Sequence, residues 1–175
     1  FFSYKNFPTL NNDSIKTVED YLRWLKSNNL ISFNGDKVKS NGELMISNFL
    51  FRNGIEYDYE KKYQEEKFQI DLSYNPDFKL KDKDIYIEYY GIDRKGNTLP
   101  YINKVEYKKS IKFKRKLHKR NNSDCIELFY YDLLEGNLIS SLKNQLNDLK
   151  IDLKPIPNHE LEGAITKLNY QNDFI

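Results

Sequence analysis

The chain predicts an α/β (α+β) fold, a mixed sheet flanked by helices in the order α-β-β-β-α-β. Three observations predict it. A helical stretch over 40–52 carries Leu44, Met45, Ile46, Phe49, Leu50 and Phe51, apolar almost all round, so it is buried on more than one side. After Gly54 the apolar period changes from helical to two, across extended pieces that run to the region of Tyr90. A basic helix, a short apolar run and an amphipathic helix then follow, which adds a strand and two covering helices. A chain of 175 residues suits one main domain with room for a core. The expected division is a helical and linker segment at 1–36, the main domain at 37–150, and a C-terminal extension with a short helix at 151–175.

In chain order, residues 1–12 show no clear period. Thr17 is placed to cap a helix over 18–26, with Val18, Tyr21, Leu22 and Leu25 on one face. Asn34-Gly35 reads as a turn between short extended pieces. Ser40 opens the buried helix, and Asn53-Gly54 closes it. Ile55, Tyr57, Tyr59 and Tyr63 are expected on one strand face, with Glu56, Asp58 and Glu60 on the other. Phe68, Ile70, Leu72 and Tyr74 repeat the alternation. A loop over 92–104 precedes a basic helix at 105–120 and a buried strand at 125–131. A helix at 135–149 puts Leu138, Ile139, Leu142, Leu146 and Leu149 on one face. Pro155 and Pro157 interrupt the chain before a weak helix at 159–168.

Composition bounds the function classes. Fourteen Tyr, eleven Phe and a mean hydropathy of −0.79 describe a polar surface over an aromatic core. A net charge of +2 is too small to argue nucleic-acid binding by itself. The single cysteine, Cys125, excludes an intrachain disulfide and a CxxC metal site. A reducing, cytoplasmic setting fits. No stretch approaches the roughly 18 apolar residues of a membrane span, and no signal peptide is visible. A start at Phe-Phe without methionine reads as a piece of a larger chain.

The main chemical clue lies at 74–91. Asn75-Pro76 marks a turn, Asp77 to Leu80 alternates polar and apolar, 81–84 is a charged tip, and Ile85 to Glu88 alternates again. Antiparallel pairing about this tip puts Phe78 opposite Ile87 and Leu80 opposite Ile85 on an apolar face. It also puts Asp77 opposite Glu88 on the other face. Directly opposed Cβ atoms lie about 4.5–5.5 Å apart, where like charges are destabilising. Two such carboxylates need a proton, a basic neighbour or a cation. One reading is a divalent-metal site, because carboxylate oxygens suit Mg²⁺ or Mn²⁺. The other is a solvated hairpin face on which Lys79 and Lys81 neutralise the acids. Asp71 is a possible extra ligand. Glu43 has two readings as well: the N3 member of a Ser40–Glu43 capping box, or a third carboxylate entering the same site.

The basic helix carries nine Lys or Arg between Lys104 and Arg120 against one acid, Glu106. Tyr107, Ile111, Phe113 and Leu117 define its apolar arc. Lys114 falls inside that arc, where a lysine needs a partner or must snorkel out. A carboxylate cluster on the sheet would be such a partner. His118 lies one turn beyond and reads as a core-edge histidine. Outward residues, namely Lys108, Lys112, Arg115, Lys116 and Lys119, are either a solvated face or a track for a phosphate backbone. The chain has no GxxxxGK[ST] loop and no GxSxG, and 91–96 is too poor in glycine for a dinucleotide loop.

A helix glutamate, a strand, Pro-Asp, and a following strand bearing Glu together resemble the PD-(D/E)XK nuclease superfamily. Four pieces are similar to the nuclease-like module of bacterial UvrD/Rep-type superfamily 1 DNA helicases, including the DNA helicase IV type: KVKSNGELMISNFLFRNGIEYDYEKKY, YNPDFKL, IYIEYYGIDRKGNTLPYINKVEY and KFKRKLHK. The similarity covers 37–142, about 60% of the chain. It implies a restriction-endonuclease-like core and a Mg²⁺- or Mn²⁺-dependent site for hydrolysing DNA phosphodiester bonds, built from Glu43, Asp77 and Glu88. It also implies DNA as partner, with helicase motor domains elsewhere in the parent chain and no nucleotide site within these residues. The superfamily's lysine two residues after the second-strand acid is here Tyr90, and Lys114 is the residue that fits a displaced lysine. Three readings follow: a metal-dependent nuclease, a non-catalytic module that positions DNA for the motor, or a protein-docking domain that has kept only the fold.

Overall fold

The structure is a computed structural model that describes residues 17, 19–20, 23, 27, 29–63, 74–81 and 83–172. Its elements are α1 (Asn41–Arg52), β1 (Tyr57–Tyr59), β2 (Phe78–Leu80), β3 (Ile85–Tyr90), α2 (Lys104–Asn121), β4 (Asp124–Phe129), α3 (Tyr130–Leu134), α4 (Leu138–Asp148) and α5 (Asn158–Asn172). The fold is mixed α/β. Among the described residues, one four-stranded sheet runs in the order β1-β2-β3-β4. β1–β2 and β2–β3 pair antiparallel, and β3–β4 pair parallel. A parallel neighbour needs a long crossover, and α2 supplies it. No helix among the described residues is long and apolar enough to cross a membrane.

The hairpin register has the expected form, with Phe78 facing Ile87. Phe78, Leu80, Ile85 and Ile87 bury on one sheet face with Ile126 and Leu128 of β4. Ile46 and Leu50 of α1 and Leu138, Leu142 and Leu146 of α4 close that core. Residues 151–156 continue the same body. Ile151 is buried in this core, and Lys154 and Ile156 donate backbone hydrogen bonds to Asn53 and Arg52 at the end of α1. Near the start, Leu30, Val38 and Leu44 form a small cluster beside a turn with Gly35 at φ +89°.

Several boundaries differ from expectation for identifiable reasons. Tyr63 does not join Tyr57 and Tyr59. It packs with Tyr74, Tyr86 and Leu117 on the other sheet face. Glu60 stands at φ +47°, which breaks the two-residue alternation after β1. The buried strand stops at Phe129 rather than residue 131, because Asp132 accepts the Phe129 N–H at 2.9 Å and starts α3. The following helix begins at Leu138 rather than 135, after Gly136 turns at φ +73°. The last helix is longer than expected, Asn158–Asn172. Phe113, placed in the apolar arc of α2, is 48% exposed, while Ile111, Leu117 and His118 are buried. The buried arc is centred between Ile111 and Lys114 instead. Thr17 and Asp20 exchange backbone-to-side-chain hydrogen bonds, and the described residues Glu19, Asp20, Arg23 and Ser27 are helical. The apolar face assigned to 18–26, the alternation at 68–72 and Asp71 lie outside the described residues.

Candidate functional site

Glu88 is the centre of the site. It lies in β3 on the face opposite the aliphatic core and is 1% exposed, so the solvated-face alternative fails for it. Its two oxygens take different partners. Lys114 Nζ approaches Oε2 at 2.5 Å, and Tyr74 Oη donates to Oε1 at 2.5 Å. Lys114 reaches Glu88 from α2 because the wheel turns it inward. Its ammonium also lies 5.2 Å from the centre of the Tyr74 ring and 5.5 Å from that of Tyr90. Lys79 and Lys81, the neutralising residues of the solvated reading, go elsewhere. Lys79 lies over the Tyr86 ring, and Lys81 pairs with Glu56.

A chain of hydrogen bonds stands behind Tyr74. Its oxygen meets His118 Nε2 at 3.0 Å, and His118 Nδ1 meets Ser123 Oγ at 2.8 Å. With the Tyr74 proton given to Glu88, the phenol oxygen accepts from Nε2–H. That leaves Nδ1 to accept from Ser123, which sets the tautomer. Burial pushes the His118 pKa down to about 4, so the ring is neutral near pH 7.

Asp77 precedes β2 and is half-buried. Its Oδ2 accepts the Tyr89 N–H at 2.7 Å. Its pKa is raised well above the ordinary carboxylate range, by burial first and then by the charges of Glu88 and Glu43. The Tyr89 N–H and Lys114 offset only part of this. Glu43 stands at the third position of α1. Ser40 Oγ caps the helix by accepting the Glu43 N–H at 3.2 Å, and the Glu43 carboxylate accepts from Ser40 Oγ at 3.0 Å and from the N–H of Lys39, the residue before the cap, at 2.9 Å. It also accepts from Tyr59 Oη at 2.6 Å, which ties the helix start to β1. Burial raises its pKa as well, against these hydrogen bonds. Burial likewise raises Glu88, with Lys114 opposing. Tyr107 accepts the Gly91 N–H at 2.8 Å, and its hydroxyl is raised to about 12 by burial and the same acids.

Glu43, Asp77 and Glu88 therefore form one electrostatic neighbourhood with more negative charge than Lys114 neutralises. Hard carboxylate oxygens of this kind fit Mg²⁺ or Mn²⁺ by donor type. Among the described residues, no group of three or more His, Cys, Asp or Glu side chains is drawn together tightly enough to hold an ion. Tyr90 stands two residues after Glu88 in β3. Its ring packs at 5.7 Å from Phe129, and its buried hydroxyl finds no hydrogen-bond partner among the described residues. Cys125 is a free cysteine whose thiol pKa burial raises, the opposite of a reactive thiolate.

The outer residues of α2 divide. Lys108, Lys112, Lys116 and Lys119 are exposed. Arg115 is also exposed, but it makes a two-point contact with Glu127 of β4 at 2.7 and 2.6 Å. That contact makes Arg115 a brace between α2 and the sheet as well as a surface cation. Sequence reasoning reached Glu43, Glu88 and Lys114 but missed Tyr59 and Tyr74 as the hydroxyl partners of Glu43 and Glu88. Strand alternation placed both tyrosines on faces and carried no signal for which acid each would meet.

Comparison with known proteins finds no matching family model, no matching curated protein and no matching solved structure.

Proposed function

We propose that this chain is a nuclease-like module that hydrolyses DNA phosphodiester bonds with Mg²⁺ or Mn²⁺. The observation that carries the reading is the pair of Lys114 with the buried Glu88 beside Asp77 and Glu43, three acids whose pKa values burial raises, with the charges of Glu88 and Glu43 adding to the rise at Asp77. Asp77 and Glu88, with Glu43, are the residues that would hold the ion, and to do so they would have to draw closer together than they stand in this structure. Each carboxylate has about four lone-pair positions, so Glu88 keeps acceptor capacity beside Tyr74 and Lys114. A bound divalent ion would polarise a phosphate oxygen and make a bound water more acidic. Lys114, fixed between two rings and an acid, is placed to stabilise charge developing on the scissile phosphate. The α1-β1-β2-β3-α2-β4 order, with β4 parallel to β3, supports a restriction-endonuclease-like core, and the helicase relationship rests on the sequence resemblance. A fold-level likeness alone does not establish an activity.

A second reading is favoured by Tyr90 and by the engagement of both Glu88 oxygens: a module that binds DNA without cutting it and positions it for a helicase motor in the parent chain. One experiment separates the two. Plasmid and single-stranded DNA are incubated with Mg²⁺ or Mn²⁺ and the purified chain, with Asp77→Ala in parallel. Metal-dependent cleavage that Asp77→Ala abolishes establishes the nuclease. Salt-sensitive binding without cleavage, weakened by charge reversal at Lys108, Lys112 and Lys116, establishes the binding module. Absence of both activities at low salt sinks both readings.

A further inference from the structure

The misplacement of Phe113 leads to a different use for the outer face of α2. Val105, Lys109, Lys112, Phe113 and Lys116 follow the spacing i, i+4, i+7, i+8 and i+11, so they share one stripe. All five are exposed, and Phe113 keeps 48% of its surface and Val105 61%. Phe113 has Lys109 one turn before it and Lys116 one turn after it. Lys109 makes only an exposed pair with Glu106 at 2.8 Å, of the kind that contributes little and exchanges readily. A face that only tracked phosphates would need cations and no ring. A large aromatic ring left in water among lysines adds an uncharged, flat surface in the middle of a positive one.

We propose that this stripe binds an unpaired DNA strand, with a base stacked on Phe113 and the phosphates on either side held by Lys109, Lys112 and Lys116. The inference rests on the DNA-binding part of the proposed function and names the strand state that this surface takes. Charge complementarity selects a polyanion. The ring selects one whose bases are available, because every unpaired base has a π-face while a duplex keeps its bases stacked inside. Lys114 leaves α2 on the other side of the helix, toward Glu88, so the stripe is a surface separate from the acid cluster.

The test is fluorescence anisotropy at low salt with a labelled oligothymidylate and a labelled hairpin duplex. The oligothymidylate should bind more tightly than the duplex. Phe113→Ala should weaken the oligothymidylate complex by roughly fivefold or more and leave the duplex complex unchanged. Phe113→Trp should retain binding, while Phe113→Leu, apolar without a π-face, should behave like the alanine variant. The salt slope should stay unchanged in Phe113→Ala and fall by about 0.7 for each lysine removed at Lys112 and Lys116. Far-ultraviolet circular dichroism would confirm that these surface variants fold. Wild-type binding of oligothymidylate by Phe113→Ala or Phe113→Leu overturns the inference and leaves DNA binding standing. So does self-association that Phe113→Ala abolishes while oligothymidylate binding is unchanged, which assigns the ring to a second copy. Failure of both probes to bind at low salt removes the inference together with the DNA-binding reading beneath it.

Discussion

The two faces of β3 are both buried, yet they are built from opposite materials. Ile85 and Ile87 look into an aliphatic core shared with α1, α4 and β4. Tyr86, Glu88 and Tyr90 alternate with them and meet α2 and the neighbouring tyrosines. The first face needs only volume and apolarity, so its stability is spread over many side chains. The second carries a buried carboxylate, a half-buried ammonium, an imidazole and several phenols, polar groups that are costly to bury without a partner at the right distance, and of these the Tyr90 hydroxyl has none among the described residues. The difference teaches where to look for chemistry: a strand buried on both sides should be apolar on both, and this one is not.

The largest expected effect breaks the aliphatic face. Phe78 is fully buried, with the rings of Tyr57 and Tyr59 each 5.4 Å away. Phe78→Ala should cost about 3–5 kcal/mol in urea unfolding, and a loss below about 1 kcal/mol would show that the site is not close-packed.

The next effect is on the polar face. Lys114→Ala leaves Glu88 buried with Tyr74 as its remaining partner. With the lysine side chain still 22% exposed, the cost should be about 2–3 kcal/mol, below that of a wholly buried pair. Adding Glu88→Gln should recover part of that loss, giving a coupling of about 1–3 kcal/mol in a double-mutant cycle. Strict additivity of the two changes would mean that the ion pair carries no net interaction.

The smallest effect sharpens the comparison through pH. The folded pKa of His118 is depressed to about 4 from 6.5, so its contribution is present above pH 6.5 and is lost as pH falls toward 4. The carboxylates act in the opposite sense, because raised folded pKa values favour the folded state as pH falls. The informative quantity is therefore the difference between wild type and His118→Gln. Between pH 7 and 4 the wild type should lose on the order of 1–3 kcal/mol relative to the variant. Parallel stability curves for the two proteins would place His118 outside the buried network.

Legibility in the sequence followed the range of the interactions. The change of period after Gly54, the Ser40–Glu43 cap, the Phe78–Ile87 register and the inward turn of Lys114 are local, set by 3.6-residue and two-residue repeats and by a few neighbouring residues. These were enough to bring an acid and a lysine into one neighbourhood from 26 residues apart. Phe113 was misjudged by the same method, because an arc drawn from apolar residues alone ignores how far the helix rolls against the sheet. Tyr63 was misjudged because one left-handed residue, Glu60, resets the face of everything after it.

By itself, then, the sequence determined the α/β class, the aliphatic face of the hairpin, and the candidate acids Glu43, Asp77 and Glu88. The tertiary structure alone decided that Glu88 is sealed from water, that Tyr74 and His118 stand behind it across 44 residues, and that Phe113 faces solvent. The physical reason is that periodicity orients a side chain relative to its own element. The crossover through α2 and the parallel docking of β4 decide which elements meet, and so which oriented side chains find each other.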